Sequence, residues 1–186
     1  MQISEMIGSR MEIFSGREGE RALRVRAITA EDVKAVLELQ EYVISCMPDK
    51  SLLCGSEEGE ILESIEKDCC MGIFDGKKMA AFAQMVVNRD APQRNLGQKL
   101  GYPWEKCVYY EIVFVHPDYR GLGLQAYALR RRDEIAKELG AELGFVTVSP
   151  DNAFSLKNIM ANGFEVLERR KMYGGRDRYI LKKNIV

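Results

Sequence analysis

Histidine is almost missing from this chain. His116 is the only one in 186 residues, which excludes a multi-histidine metal site. Net charge is almost missing too: 27 lysines and arginines face 28 aspartates and glutamates, a formal −1. Whole-molecule charge therefore offers no attraction to nucleic acid or to an anionic membrane surface. No apolar run approaches the roughly 18 residues of a membrane-crossing helix. The first residues, MQISEMIGSRMEIFSG, lack a basic stretch followed by a continuous apolar one, so no secretory signal is expected. The five cysteines (Cys46, Cys54, Cys69, Cys70, Cys107) are odd in number and show no C-x-x-C spacing. They read as reduced, mostly packed thiols of a cytoplasmic protein.

What is present is an ordinary globular composition, 46% apolar and 30% charged, at a length that suits one domain. Residues 1–22 have weak periodicity and read as an N-terminal extension able to pair with a neighbouring element; the domain proper is expected over 23–186. LRVRAI alternates as a short strand does. Thr29 with Asp32 resembles a capping box opening a helix whose apolar face is Val33, Val36, Leu37, Val43 and Ile44. A charged helix is expected over 57–68. Two apolar runs then flank Asp75-Gly76, a hairpin signature. Residues 88–106 are polar and broken by prolines and glycines, and connections of that length are commonly lids or disordered. CVYYEIVFV is apolar on both parities, as in a buried central strand. A helix to about Leu139, the strand LGFVTV, a short helix ended by Asn162-Gly163 and a hairpin around Gly174-Gly175 complete the chain. The reading is one α/β domain with a mixed sheet flanked by helices.

HPDYRGLGLQ, residues 116–125, stands where the central strand gives way to the long helix. Glycine costs a helix about 1 kcal/mol relative to alanine, so two of them there call for a reason. The first turn of a helix has open N–H groups and a partial positive charge, and glycines let an anion approach its backbone. RGLGLQ reads as a phosphate or pyrophosphate cradle, or else as a tight strand-to-helix turn with a surface arginine. A Walker loop is excluded, since G-K-[ST] is absent. GLGLQA satisfies a G-x-G-x-x-A dinucleotide pattern, but HPDYR separates it from the strand, and the next strand ends in Ser149-Pro150 rather than an acidic residue.

Val115, Pro117, Arg120, Gly121, Gly123 and Leu124 together resemble the acetyl-CoA pyrophosphate loop of the GNAT N-acetyltransferases. SPDNAFSLKNIMANGF is similar to that family's second cofactor segment. The resemblance covers about residue 23 to the C-terminus and implies a sheet splayed at the cofactor site. It further implies that backbone groups of Val113 and Val115 hold pantetheine. Backbone N–H groups of Arg120, Gly121, Leu122, Gly123, Leu124 and Gln125 would hold the pyrophosphate, and Asn152 and Ser155 would touch the cofactor from the other side. Gln125 replaces a small residue. Ile159 occupies the position of a tyrosine that protonates the leaving thiolate in many relatives, and Tyr173 is the candidate substitute.

Glu111 is a carboxylate inside an apolar strand, costly unless paired or used. Strand parity places it with Val113 and Val115. It is a candidate general base for the acceptor amine, or a structurally paired carboxylate. Arg130, Arg131 and Arg132, interleaved with Asp133 and Glu134, read as a solvated helix face. His116 reads as structural, and Cys107 lacks a partner that would make it a nucleophile. The expected function is acetyl-CoA-dependent transfer of acetyl to a primary amine of a small molecule or peptide. No metal, nucleic-acid or membrane partner is expected, and a homodimer is allowed. A CoA-binding module of the same fold with weak catalysis and a nucleotide-dependent oxidoreductase are the rivals.

Overall fold

The structure is a computed structural model that describes residues 2–17, 19–89 and 92–185. Met1 and Glu18 of the N-terminal extension, and Asp90 and Ala91 of the polar 88–106 stretch, lie outside the described residues.

A short helix α1 (Ile3–Ile7) leads into a hairpin of β1 (Ser9–Gly16) and β2 (Gly19–Ala27). Helices α2 (Val33–Ser45) and α3 (Glu58–Lys67) follow, then the hairpin β3 (Cys69–Asp75) and β4 (Lys78–Val86). A small helix α4 (Leu96–Lys99) precedes the central strand β5 (Cys107–Val115). The long helix α5 (Leu124–Glu138), β6 (Leu143–Val148), α6 (Ala153–Ala161), β7 (Glu165–Met172) and β8 (Arg176–Asn184) complete the chain. The eight strands form one sheet in the order β1-β2-β3-β4-β5-β6-β8-β7. Among the described residues only β5 and β6 run parallel, because α5 carries the chain back across the sheet between them.

Helices cover both faces. On one face α1, α5 and α6 bury Met6, Ile7, Leu124, Ala128, Leu129, Ile135 and Ile159 against the sheet. On the other, α2 and α3 bury Val33, Val36, Leu39, Val43 and Ile61. The predicted box at the start of α2 forms: Asp32 accepts from the Thr29 N–H at 2.9 Å, and Arg26 grips the same carboxylate at 2.7 Å. Arg26 thereby holds the Asp32 carboxyl down at about 2, well below its usual range.

The N-terminal residues join the sheet and the first face. Phe14 of β1 stacks edge-on against Tyr127 of α5 at 5.0 Å, and the Tyr127 hydroxyl donates to Glu12 at 3.2 Å. The described part of 88–106 is packed rather than loose. Asn95 is fully buried, donating to the Cys107 carbonyl at 2.7 Å and accepting from the Gly97 N–H at 2.9 Å. Leu96 joins a third apolar cluster with Val86, Cys107, Tyr109 and Phe145. The segment reads as polar because its packing rests on one buried asparagine and one close glycine instead of a periodic apolar stripe.

That closeness is testable. A Cβ added to Gly97 would lie 2.6 Å from both Cβ and Sγ of Cys107. Gly97→Ala should cost about 1–3 kcal/mol through overpacking. The urea midpoint measures it, and a midpoint equal to wild type contradicts the tight seat.

Candidate active site

The β5–β6 ladder pairs Cys107–Tyr110 with Leu143–Val146 and then stops, although β5 runs on to Val115 and β6 to Val148. Beyond Tyr110 the strands part. Each strand turns alternate backbone groups to its two neighbours, so those of Glu111–Val115 that point away from β4 face open space. A cleft of about 230 Å³ fills the gap.

A bulge sits at the same point. Gln84 of β4 opposes Ile112 and Val86 opposes Tyr109, so three residues of β5 advance against two of β4. Side-chain parity flips there. Val108, Tyr110, Val113 and Val115 face the α5 side, while Ile112 and Phe114 face the α2–α3 side. Glu111 is the extra residue. Its carboxylate lies with Gln84 on the α3 side, opposite the valines with which simple alternation had grouped it. The two-residue period fails because a bulge consumes one residue without a partner.

Glu111 sits at the end of a polar chain. The Gln84 Nε2 group donates to Glu111 Oε2 and to Ser64 Oγ, both at 2.8 Å. Arg94 donates to Ser64 Oγ at 2.9 Å and pairs with Asp68 at 2.5 Å. Glu111 is exposed by surface area and lines the cleft, yet protein surrounds its carboxyl closely enough to thin the solvent around it. Desolvation there outweighs Arg94 and pushes the Glu111 carboxyl up to about 7, with Asp68 and Glu60 raising it further and Lys99 opposing.

On the opposite side of the bulge lies Arg132, only 1% exposed. It is not part of a solvated face: Nη1 donates to the Gln84 carbonyl at 2.6 Å and the Ile112 carbonyl at 3.3 Å, and Nε to the Ala128 carbonyl at 3.0 Å. Arg131 bonds the Met6 carbonyl and Glu134. The signal for Arg132 was its place among Leu124, Ala128 and Ile135, on the buried stripe of α5.

The glycine turn lies where α5 begins. Gly121 and Gly123 have φ of 83° and 74°, which residues other than glycine rarely adopt. Gly123 is the N-cap, without a side-chain capping bond, and the first helical bond runs from the Tyr127 N–H to its carbonyl. The N–H groups of Leu124, Gln125 and Ala126 precede that bond and are those a helix leaves open. Cβ positions at Gly121 and Gly123 meet nothing within 4 Å, so the backbone is accessible. Arg120 is exposed beside them, and Leu122 and Leu124 are buried beneath.

Gln125 ties α5 to α6, donating to Ser155 Oγ at 3.3 Å and accepting from Asn158 at 2.8 Å. Asn152 caps α6 by accepting from the Ser155 N–H at 3.1 Å. Glu111, Val113, Gln125, Asn152, Ser155 and Tyr173 all line the one cleft; Val115 lies beyond it at the end of β5. Ile159 also lines it and presents no proton donor.

Three hydroxyls meet at one wall of the cleft. Tyr173 lies 2.6 Å from the Tyr109 hydroxyl and 3.2 Å from Thr147, and Tyr109 lies 3.1 Å from Thr147. Burial raises the Tyr109 phenol well above its ordinary range. Tyr173 is the only non-glycine with positive φ, 48°, among the described residues, a conformation that surrounding structure must enforce. Gln84, Tyr109 and Thr147 carried no signal in the sequence, since each gains its polar partners only across elements distant in the chain.

The remaining singled-out residues stay outside this chemistry. His116 Nδ1 accepts from the Asp118 N–H at 3.2 Å, and its ring packs on Tyr42 at 4.8 Å. Burial pushes the Cys107 thiol up to about 11, far from a reactive thiolate. Among the described residues no cluster of three histidine, cysteine, aspartate or glutamate side chains is placed to hold a metal, and no helix is long and apolar enough to cross a membrane.

Comparison with known proteins converges on one family. The model for the acetyltransferase (GNAT) family matches residues 36–164. No curated protein sequence matches the chain. Solved structures of the same fold include the ribosomal-protein-S18-alanine N-acetyltransferase from Escherichia coli, with 18% identity, 88% of this chain and 94% of that one covered, and a TM-score of 0.65. The paia N-acetyltransferase from Thermoplasma acidophilum, in complex with coenzyme A, superposes with 14% identity, 88% and 99% coverage and a TM-score of 0.66. The yncA protein from Salmonella typhimurium, solved with its cofactor acetyl-CoA, gives 16% identity, 89% and 95% coverage and a TM-score of 0.67. At these identities the structural likeness speaks for the fold.

The raised Glu111 carboxyl has a signature in stability. Folding favours its protonated form, so the stability it supplies is complete below its ordinary value of 4.5 and is lost as pH climbs to about 7. Glu111→Gln is neutral throughout. Its Tm relative to wild type should therefore rise between about pH 4.5 and 7 and level off above. A Tm difference that stays constant from pH 5 to 8 would contradict the shift.

Proposed function

Because the chain belongs to the GNAT acetyltransferase family, we propose that it transfers acetyl from acetyl-CoA directly to a primary amine of a small molecule or peptide. The observation that carries this reading is the cleft between the parting strands, with Gln125 from the first turn of α5 and Glu111 in its wall. Acetyl-CoA fits these residues. The N–H groups from Gly121 to Gln125 would hold the pyrophosphate, whereas that of Arg120, expected in the same cradle, is taken by the Pro117 carbonyl at 3.2 Å. Backbone groups of Val113 and Val115 suit the amides of pantetheine, and Asn152 and Ser155 would touch the cofactor from α6. Acetyl-CoA supplies the activated thioester.

Glu111 is the proposed base. A carboxyl near 7 is half ionised at neutral pH and takes a proton there far better than one near 4.5. It would keep the amine neutral for attack and receive the proton that nitrogen loses on becoming an amide. The Val113 N–H would donate to the thioester oxygen as that oxygen takes up the electron pair. Tyr173, coupled to Tyr109 and Thr147, would supply the proton that the sulfur acquires when the carbon–sulfur bond breaks. One amine proton is thus lost and one thiol proton gained, with no redox change. Five free cysteines, of which Cys69, Cys70 and Cys107 are buried, support a cytoplasmic setting.

The alternative, a CoA-binding module with weak catalysis, is favoured by Ile159 alone. Thiol release from acetyl-CoA across a panel of amines separates the two; release no faster than without amine would favour the binding module.

Gly123→Val places a β-branched side chain on a backbone with φ of 74° and on the face an anion would use. Acetyl-CoA affinity should fall at least tenfold, about 1.4 kcal/mol, by calorimetric titration. Gly140→Val carries the same strain, φ of 73°, at the far end of α5 and should leave affinity unchanged. Equal affinities in both variants would remove the cradle from the proposal.

Glu111→Gln should lower kcat/KM by about 10²–10⁴-fold. The acidic limb of the wild-type pH profile should lie near 7 and vanish in the variant, with acetyl-CoA binding nearly unchanged. A wild-type profile in the variant would assign the proton to another group.

A further inference from the structure

Arg132 is an expensive residue for its position. It is 1% exposed, and taking an ion out of water is costly. Among the described residues it has no ion-pair partner. The neighbouring Asp133 is engaged elsewhere, by the Tyr110 hydroxyl and by Lys183 at 2.5 Å. An apolar side chain of similar volume would often be as stable or more so. Fold stability alone gives a weak reason for an arginine there.

Its contacts give a better one. Nη1 reaches the carbonyl oxygens of Gln84, on β4, and Ile112, on β5. A single nitrogen that touches both lies between the two strands, at the bulge. The Ile112 carbonyl therefore points toward β4. No peptide bond among the described residues is cis, so the Val113 N–H, on the same peptide unit, points the opposite way, into the splay. A hydrogen bond to the carbonyl of a peptide polarises its N–H, and a chain of such bonds strengthens each member. The guanidinium also places an unneutralised positive charge behind that N–H, and Arg132 itself lines the cleft.

We propose that Arg132 is a positioning residue for acetyl transfer: it fixes and polarises the Ile112–Val113 peptide, so that the Val113 N–H is preset as donor to the thioester oxygen. This rests on the acetyltransferase reading of the same cleft. The oxygen gains charge only as the amine adds. The contribution of Arg132 is therefore greatest in the transition state and small in the binding of CoA itself.

The experiment compares wild type with Arg132→Met, which keeps volume and removes the charge, and Arg132→Lys, which keeps charge but loses the fork. kcat should fall about 10²–10³-fold in the methionine variant and less in the lysine variant. Affinity for CoA, which lacks the acetyl carbonyl, should stay within threefold in both, a split that loss of a purely structural contact would not give. Infrared spectroscopy of bound acetyl-CoA labelled with ¹³C at the carbonyl reads polarisation directly. The band should lie below that of free acetyl-CoA in wild type and move back toward it in the variants. A wild-type band at the free position overturns the proposal even if neither variant folds. So does a folded methionine variant with wild-type kcat and band. A wild type that neither binds acetyl-CoA nor acetylates any amine overturns the functional reading and this inference with it. Normal acetylation with unaltered variants overturns this inference alone.

Discussion

Everything that distinguishes this sheet follows from a ladder that stops early. β5 and β6 exchange hydrogen bonds over four residue pairs and then separate while both strands continue. Unpaired backbone inside a protein is costly unless something satisfies it. A strand edge left open between two helical layers is accordingly where the proposed cofactor would pair, its pantetheine amides taking the place of a missing strand. The bulge opposite Val86 and Gln84 works with the separation. It bends β5 where β6 leaves it and reverses the faces of every residue that follows.

The bulge also sorts charge. Glu111 is delivered to the α3 side, at the end of the Gln84–Ser64–Arg94–Asp68 chain, and Arg132 approaches from the α5 side. The two ionisable groups flank one stretch of backbone from opposite faces, without an ion pair between them among the described residues. That separation matters. A direct Arg132–Glu111 pair would hold the carboxyl well below neutrality and cancel the positive charge. Kept apart, the carboxyl is raised by desolvation at the cleft wall, and the guanidinium contacts backbone carbonyls and the Tyr110 ring. Gln84 touches both sides, its side chain on Glu111 and its carbonyl on Arg132, and so couples the two halves of the site.

The glycine turn and the hydroxyl cluster show two forms of backbone constraint. Gly121 and Gly123 hold positive φ at little cost and leave the first turn of α5 bare. Tyr173 holds positive φ at some cost, and its ring and hydroxyl are fixed by Arg178, Tyr109 and Thr147. With Ile159 where a tyrosine is common in the resembling family, the hydroxyls on the cleft wall come from β5, β6 and the β7–β8 turn instead.

Much of the fold was legible in one dimension. Alternation, helical stripes, the Asp75-Gly76 turn and the glycine-rich approach to α5 are local, and local steric and capping rules act on neighbours in the chain. They gave most of the element order, the mixed sheet and the glycine turn into α5. β1 escaped because an edge strand carries little apolar signal, and the packing of 88–106 escaped because Asn95 and Gly97 are seated by Cys107 rather than by a periodic stripe. The side of the sheet on which Glu111 lies, the burial of Arg132 among three carbonyls and the meeting of Tyr109, Thr147 and Tyr173 were decided only in three dimensions. Each depends on strand register and on one unpaired residue at the bulge. The energy that sets register comes from cross-strand partners, which are distant in the sequence.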